Sequence, residues 1–299
     1  MTGPEPNLVL GTAQLGMIYG IANKTGQPDQ KTATEIIAIA WEEGLREFDT
    51  AQSYGVSENI LGKALFEIGA SSTARIISKF DPQLDHLNAS ILSDSMDRSL
   101  ERIGIPSLYG MMLHREEMIS LWNKGLSVIL NDLVGSGRVA HIGVAVYSPE
   151  YAIQALMMDG IDMVQIPANL LDRRFENAGV YELAERMGKK LFIRSIFLQG
   201  LLLMRKEDIP GKMSFAKPVV EKIDKLSRDF GLSRQEMAMG YIKTQMPKAH
   251  IMFGAETAAQ TRENIKVWQK EFPELFCRKI RAAFIDESEQ LLNPARWPI

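Results

Sequence analysis

The sequence predicts a (β/α)8 TIM barrel: a single α/β domain over residues 1–299, with a loop across the C-terminal mouth of the barrel. Three observations carry that prediction. Eight short runs rich in Val, Ile, Leu and Phe recur along the chain, segments with a helical period separate most of them, and no linker or composition break divides the sequence. Alternation of strand and helix implies a parallel sheet, because each return to a parallel strand requires a crossover. Eight repeats in roughly 250 residues favour closure into a barrel. The alternative, an open doubly wound sheet, should begin with a G-x-G-x-x-G turn, and Gly11-Thr-Ala-Gln-Leu-Gly16 does not supply one.

The elements follow in order. Strands are expected at 8–11, 47–49, 75–79, 109–114, 139–144, 163–166, 191–196 and 251–254. Helical periods fall at 32–43, 57–66, 87–102, 118–135 and 180–187 between strands, and at 219–230 and 234–243 before the last strand. Gly44, Gly104, Gly188 and Gly231 follow helical runs where a terminating glycine belongs, and Ser148 before Pro149-Glu150 reads as an N-cap with proline at the first helical position. The stretch 199–218, holding Gly200, Pro210, Gly211 and Pro218, reads as an ordered loop or lid over a site.

Composition narrows the function. A 45% hydrophobic composition is ample for a large core, and the net charge of −3 with scattered Lys and Arg excludes a basic nucleic-acid face. A small molecule is the expected partner; the sequence gives no reading of oligomeric state. Cys277 is the only cysteine, so no internal disulfide is possible, and a cytoplasmic location is expected. Residues 1–6 lack a basic region followed by an apolar one, and the most apolar stretch, 191–204, is interrupted by Arg194, Ser195, Gln199 and Gly200. Neither export nor a membrane span is expected. His86, His141 and His250 lack metal-ligand spacing, so no metal is expected either.

In a parallel barrel the functional face lies where the strands end, so polar residues that close apolar runs are the ones to collect. Asp49 closes the second run, Lys79 the third and His114 the fourth, while Tyr54 sits five residues beyond Asp49 on a loop that can fold over the same mouth. An ammonium near a phenol favours phenolate and is expected to depress the tyrosine pKa, with Asp49 holding Lys79 charged. A tyrosine tuned in this way serves as general acid in reduction and general base in oxidation, with His114 binding the substrate oxygen.

At this point the sequence resembles the aldo-keto reductase superfamily. The resemblance spans nearly the whole chain and rests on Leu10-Gly-Thr12, Phe48-Asp-Thr-Ala51, Tyr54-Gly55, 58–62, Lys79, Leu113-His114, Gly143 and Arg262-Glu-Asn264. It implies an NAD(P)-dependent oxidoreductase that reduces an aldehyde or ketone, sugar-like by preference, to an alcohol. Tyr54, Lys79, Asp49 and His114 would be the catalytic set, and Tyr19, Tyr54 and His114 would face the substrate. For the cofactor it implies Gln165 and Asn169 at the nicotinamide amide and Arg194 in place of the usual stacking aromatic. Ala145 and Val146 stand where the family commonly has Ser and Asn. Gln199, Gly200 and Leu201 would lie along the diphosphate, with Gly254, Thr257, Arg262 and Asn264 at the adenosine end. NADP(H) is the cofactor that the family's habit implies, with Arg262 the remaining nearby cation and NAD(H) as the alternative. A different class of function, a cofactor-binding regulatory or partner-binding subunit with little turnover, also fits the fold.

Overall fold

A computed structural model describes residues 7–298; residues 1–6, where no export signal was read, and residue 299 lie outside the described residues. Eight parallel strands close into a barrel in sequence order: β1 (Leu8–Gly11), β2 (Glu47–Asp49), β3 (Arg75–Lys79), β4 (Leu108–Leu113), β5 (Val139–Ala145), β6 (Met163–Pro167), β7 (Lys190–Arg194) and β8 (His250–Gly254). Each strand lies within two residues of its expected bounds. β8 pairs with β1, placing Gly11 opposite both Gly254 and Asp49.

Successive side chains on a strand point to opposite faces, so each strand contributes to two cores. Leu8, Leu10, Phe48, Ile76, Met111, Val144, Ile166, Ile193 and Phe253 pack outward against the helices. Val9, Ile77, Met112, Met163, Phe192 and Met252 point inward and fill the barrel. Two positions earlier, Arg75, Lys190 and His250 are polar, and Glu47 on β2 binds both Arg75 (3.2 Å) and His250 (2.7 Å). Two positions later come Lys79, Gln165 and Arg194, with Asp49 two positions beyond Glu47. An apolar plug therefore separates a charged floor from the reactive mouth, and that alternation aims the site residues inward.

Side-chain caps fix several helix starts. Asp29 accepts from Thr32, Asn88 from Ile91 and Thr257 from Gln260, and Ser233 with Glu236 forms a complete capping box. Two expectations need correction. The helical run 118–135 is two segments, a 3-10 helix Glu116–Lys124 and an α-helix Leu126–Gly135, parted by Gly125 at φ 119°, a backbone that only glycine adopts without strain. Ser148 does occupy the N-cap of Pro149–Met157, but its side chain makes no capping bond. The Glu116 carboxylate instead accepts from Tyr147 N (2.7 Å), Ser148 N (2.9 Å) and Ser148 Oγ (3.2 Å). The 199–218 stretch folds as three short 3-10 segments, Leu198–Leu203, Lys206–Asp208 and Gly211–Ala216. Among the described residues, no helix is long and apolar enough to cross a membrane.

Candidate active site

The resembling motifs knit the ends of β1 and β2 to the helix Ser57–Glu67. Thr12 Oγ1 donates to Asp49 O (2.8 Å) and lies 2.7 Å from Ser57 Oγ, and Thr50 Oγ1 donates to the same hydroxyl at 2.9 Å. Glu58 accepts from Ser78 (2.6 Å) and Arg102 (2.7 Å), locking that helix to β3. The loop carrying Tyr54 is thus held at both ends by buried hydrogen bonds.

Asp49 and Lys79 are buried and paired, with Nζ 2.5 Å from Oδ1. Lys79 also donates to Thr50 O at 3.0 Å, and Gln165 Nε2 donates to the second Asp49 oxygen at 2.9 Å. Lys79 Nζ is 5.0 Å from the Tyr54 ring centroid. The His114 ring meets Tyr54 edge-on at 5.7 Å, and its Nδ1 is 3.1 Å from Ser53 Oγ. The four residues from three strand ends and one loop share one neighbourhood.

Electrostatics corrects the expected tuning. Burial, then the Asp49 charge, holds the Tyr54 phenol well above its ordinary range, although Arg194 pulls the other way. The main reason is desolvation of the phenolate, and Asp49, which accompanies Lys79 into the mouth, adds to it. Burial likewise lowers Lys79, opposed by Asp49. The His114 imidazole is pushed down to about 3 by burial, then by Lys79 and Arg194, and is neutral at pH 7. The Tyr54 phenol is accordingly held in its protonated form rather than as a standing phenolate.

A cleft of about 390 Å³ opens on this cluster. Asp49, Tyr54, Tyr19 and Arg194 line its inner part; Ser195, Gln199 and Gly200 line its flank; Gly254, Glu256, Gln260, Glu263 and Asn264 line the side formed by β8 and the helix Ala258–Trp268. The three non-glycine residues with left-handed backbone among those described, Ser195, Leu198 and Gln199, all lie in the flanking loop, where such strain marks functional segments. A Cβ on Gly254 would sit 2.2 Å from Gln14 Nε2, so the glycine admits that amide to the cleft. Burial and Tyr54 push the Tyr19 phenol up to about 12.

Five other residues expected at the cofactor, Gln165, Leu201, Thr257, Arg262 and Asn169, do not line the cleft. Gln165 spends its amide on Asp49. Leu201 is buried outside the cleft lining, and Thr257 caps its helix. Arg262 lines an adjoining groove with Ser233, Glu236, Glu263, Lys266 and Lys270; Glu263 borders both cavities, while Gln260 and Asn264 line the cleft and not the groove. Asn169 is buried, its Oδ1 accepting from Leu171 N and its Nδ2 without a partner. Sequence reasoning missed Tyr147, Gln14, Asn23 and Gln235. Tyr147 lies just beyond β5, where the strand-end rule could have found it, and the Arg194 guanidinium stacks 4.1 Å from its ring centroid.

The profile of the Aldo/keto reductase family matches residues 7–284. The chain belongs to the aldo/keto reductase family. Aldo-keto reductase YhdN of Bacillus subtilis is 26% identical over 186 residues, 59% of this chain and 54% of that protein, so the match spans about half of that relative. Pyridoxal 4-dehydrogenase of Microbacterium luteolum is 22% identical across 92% of this chain and 93% of its own. The holo form of an aldo-keto reductase from Bacillus halodurans superposes with a TM-score of 0.76 at 19% identity, covering 96% of this chain and 95% of that one. As an aldo/keto reductase this chain is an oxidoreductase of the carbonyl-reducing kind, and its barrel is the one those solved structures share. Among the described residues, no cluster of His, Cys, Asp or Glu is arranged to hold a metal.

Proposed function

We propose that this aldo/keto reductase reduces an aldehyde or ketone to an alcohol with a nicotinamide dinucleotide, and that Tyr54 delivers the proton. The observation that carries the reading is the half-buried Tyr54 phenol lining the cleft beside the buried Asp49–Lys79 pair, with desolvation and then the Asp49 charge favouring its protonated form. The cleft fits the dinucleotide: amides of Gln14, Gln199, Gln260 and Asn264 line it, and the strained Ser195–Gln199 backbone flanks it. Ser195, Gln199 and Gly200 on the flank, with Gln14, Gln260 and Asn264 farther out, would hold it. When bound, its reduced form supplies the hydride that reaches the carbonyl carbon.

The protein handles the proton. Neutral His114 donates a hydrogen bond to the carbonyl oxygen, Tyr54 transfers its proton to that oxygen as charge develops, and Lys79 stabilises the phenolate left behind until solvent reprotonates it. Asp49 and Gln165 hold Lys79 in place. Tyr19 walls the substrate side.

For the cofactor we propose NAD(H) rather than the NADP(H) expected from sequence. That expectation followed the family's habit, and Arg262, the cation that could have served it, lines the adjoining groove and not the cleft. The outer cleft instead presents Glu256 and Glu263 among amides, a lining that repels a 2′-phosphate dianion and accepts hydrogen bonds from ribose hydroxyls. Fluorescence titration should give a Kd for NADH at least tenfold below that for NADPH, and the reverse order sinks this assignment. Consumption of NADH with an aldehyde panel tests the activity itself. Tight NADH binding with no consumption on any aldehyde or ketone would favour a cofactor-binding regulatory subunit instead.

A further inference from the structure

Arg194 ends β7 and lines the cleft together with Asp49, Tyr54 and Tyr19. Its hydrogen-bond partners are neutral and distant, Ser195 Oγ at 3.3 Å and Val146 O at 3.4 Å, and one face rests on the Tyr147 ring. None of the ion pairs among the described residues includes it. Asp49, the carboxylate that shares the inner cleft, is committed on both oxygens, to Lys79 and to Gln165. The cleft therefore keeps a guanidinium without a counter-ion beside the reacting groups. Its charge acts on all of them, opposing the effect of burial on Tyr54 and Tyr19 and adding to the effect of burial on His114 and Lys79. A partly buried cation lacking an anion is destabilising, and most of its five donors remain available for one.

The guanidinium is also held in position. Tyr147, on which it stacks, is pinned through its backbone N–H to Glu116 (2.7 Å) and its carbonyl to Arg174 (3.4 Å). A planar donor fork fixed in place matches the oxygens of a carboxylate or phosphate two at a time. We propose that the substrate is an anionic carbonyl compound, its carboxylate or phosphate monoester seated on Arg194 at the mouth while its carbonyl faces Tyr54. This rests on the carbonyl-reducing reading of the same cleft and adds the substrate's charge to it. Tyr147 and Glu116 are positioning residues for that contact.

Matched aldehydes that differ in one charged group test it. Succinic semialdehyde against butanal probes a carboxylate, and glycolaldehyde phosphate against glycolaldehyde probes a phosphate. Binding to the NADH-loaded and free protein is measured by calorimetry, and turnover by NADH absorbance, for wild type, Arg194→Gln and Arg194→Lys, each checked for folding by circular dichroism. At least one charged member should bind tenfold or more better than its neutral counterpart. Arg194→Gln should shrink that ratio about ten- to hundredfold, through KM more than kcat, and Arg194→Lys should retain part of it. Which pair shows the effect separates carboxylate from phosphate. A wild-type ratio near one, or a ratio unchanged in Arg194→Gln, overturns the proposal; the second result with weakened NADH binding would assign Arg194 to the dinucleotide. If no aldehyde is turned over while charged aldehydes still bind in an Arg194-dependent way, the anion site stands and the reductase reading falls.

Discussion

Tyr54 and its neighbours divide acid–base work by environment. Because burial and Asp49 keep the phenol protonated, the donor form persists through the ordinary tyrosine range, and the alkaline limb of the reduction rate should lie above pH 10. A limb near pH 7 to 8 would restore the depressed phenol expected from sequence. Tyr54→Phe should cut kcat about 10²- to 10⁴-fold while moving the NADH Kd less than about threefold, and turnover near wild type would refute its role. Lys79 and Asp49 act as a unit. Lys79→Met strands a buried carboxylate and should lower unfolding free energy by about 3–5 kcal/mol, whereas adding Asp49→Asn should recover part of the loss. Urea denaturation of the single and double variants reads both numbers.

At the scale of elements, the decisive features are how strands and helices are rotated rather than where they begin. On the helix Ala258–Trp268, Gln260 and Asn264 line the cleft, Arg262 lines the adjoining groove and Glu263 borders both, a difference set by about 100° of rotation per residue. Cofactor preference should follow the inward face. Gln260→Arg combined with Glu256→Gln should lower the NADPH Kd at least tenfold relative to NADH, and Arg262→Ala should leave the ratio unchanged; the opposite pattern would return the site to the outer groove. Between β4 and β5, Gly125 separates two helical segments at a φ that excludes other residues. Gly125→Ala should cost about 1–3 kcal/mol in urea unfolding without altering NADH affinity.

At the scale of the whole molecule, the barrel stacks a charged floor, an apolar plug and a reactive mouth, and both polar layers couple its stability to pH. His114 is depressed to about 3 from 6.5, so the native state resists its protonation. The stability it contributes is complete above pH 6.5 and is lost as pH falls towards 3. Glu47 in the floor is held below its ordinary range by His250 and Arg75 against the opposing effect of burial, so its contribution is lost as pH falls below about 4.5. Melting temperature should therefore fall in two stages below pH 6.5, and His114→Asn should remove the first; a flat profile from pH 7 to 4 would contradict both.

The sequence by itself determined the barrel, because the two-residue alternation of strands, the helical period and the turn residues are local properties of a few neighbours. The same alternation named Asp49, Lys79 and His114, since each closes its apolar run, and the resemblance supplied Tyr54 with them. What only the tertiary structure decided depends on packing between distant segments. Gln165 turns to Asp49 rather than to the cleft, Arg262 lies outside it, Tyr147 supports Arg194, and Tyr54 stays protonated because desolvation, with the Asp49 charge, disfavours its phenolate. Rotation, desolvation and the balance of nearby charges are sums over the folded neighbourhood, and no run of adjacent residues contains them.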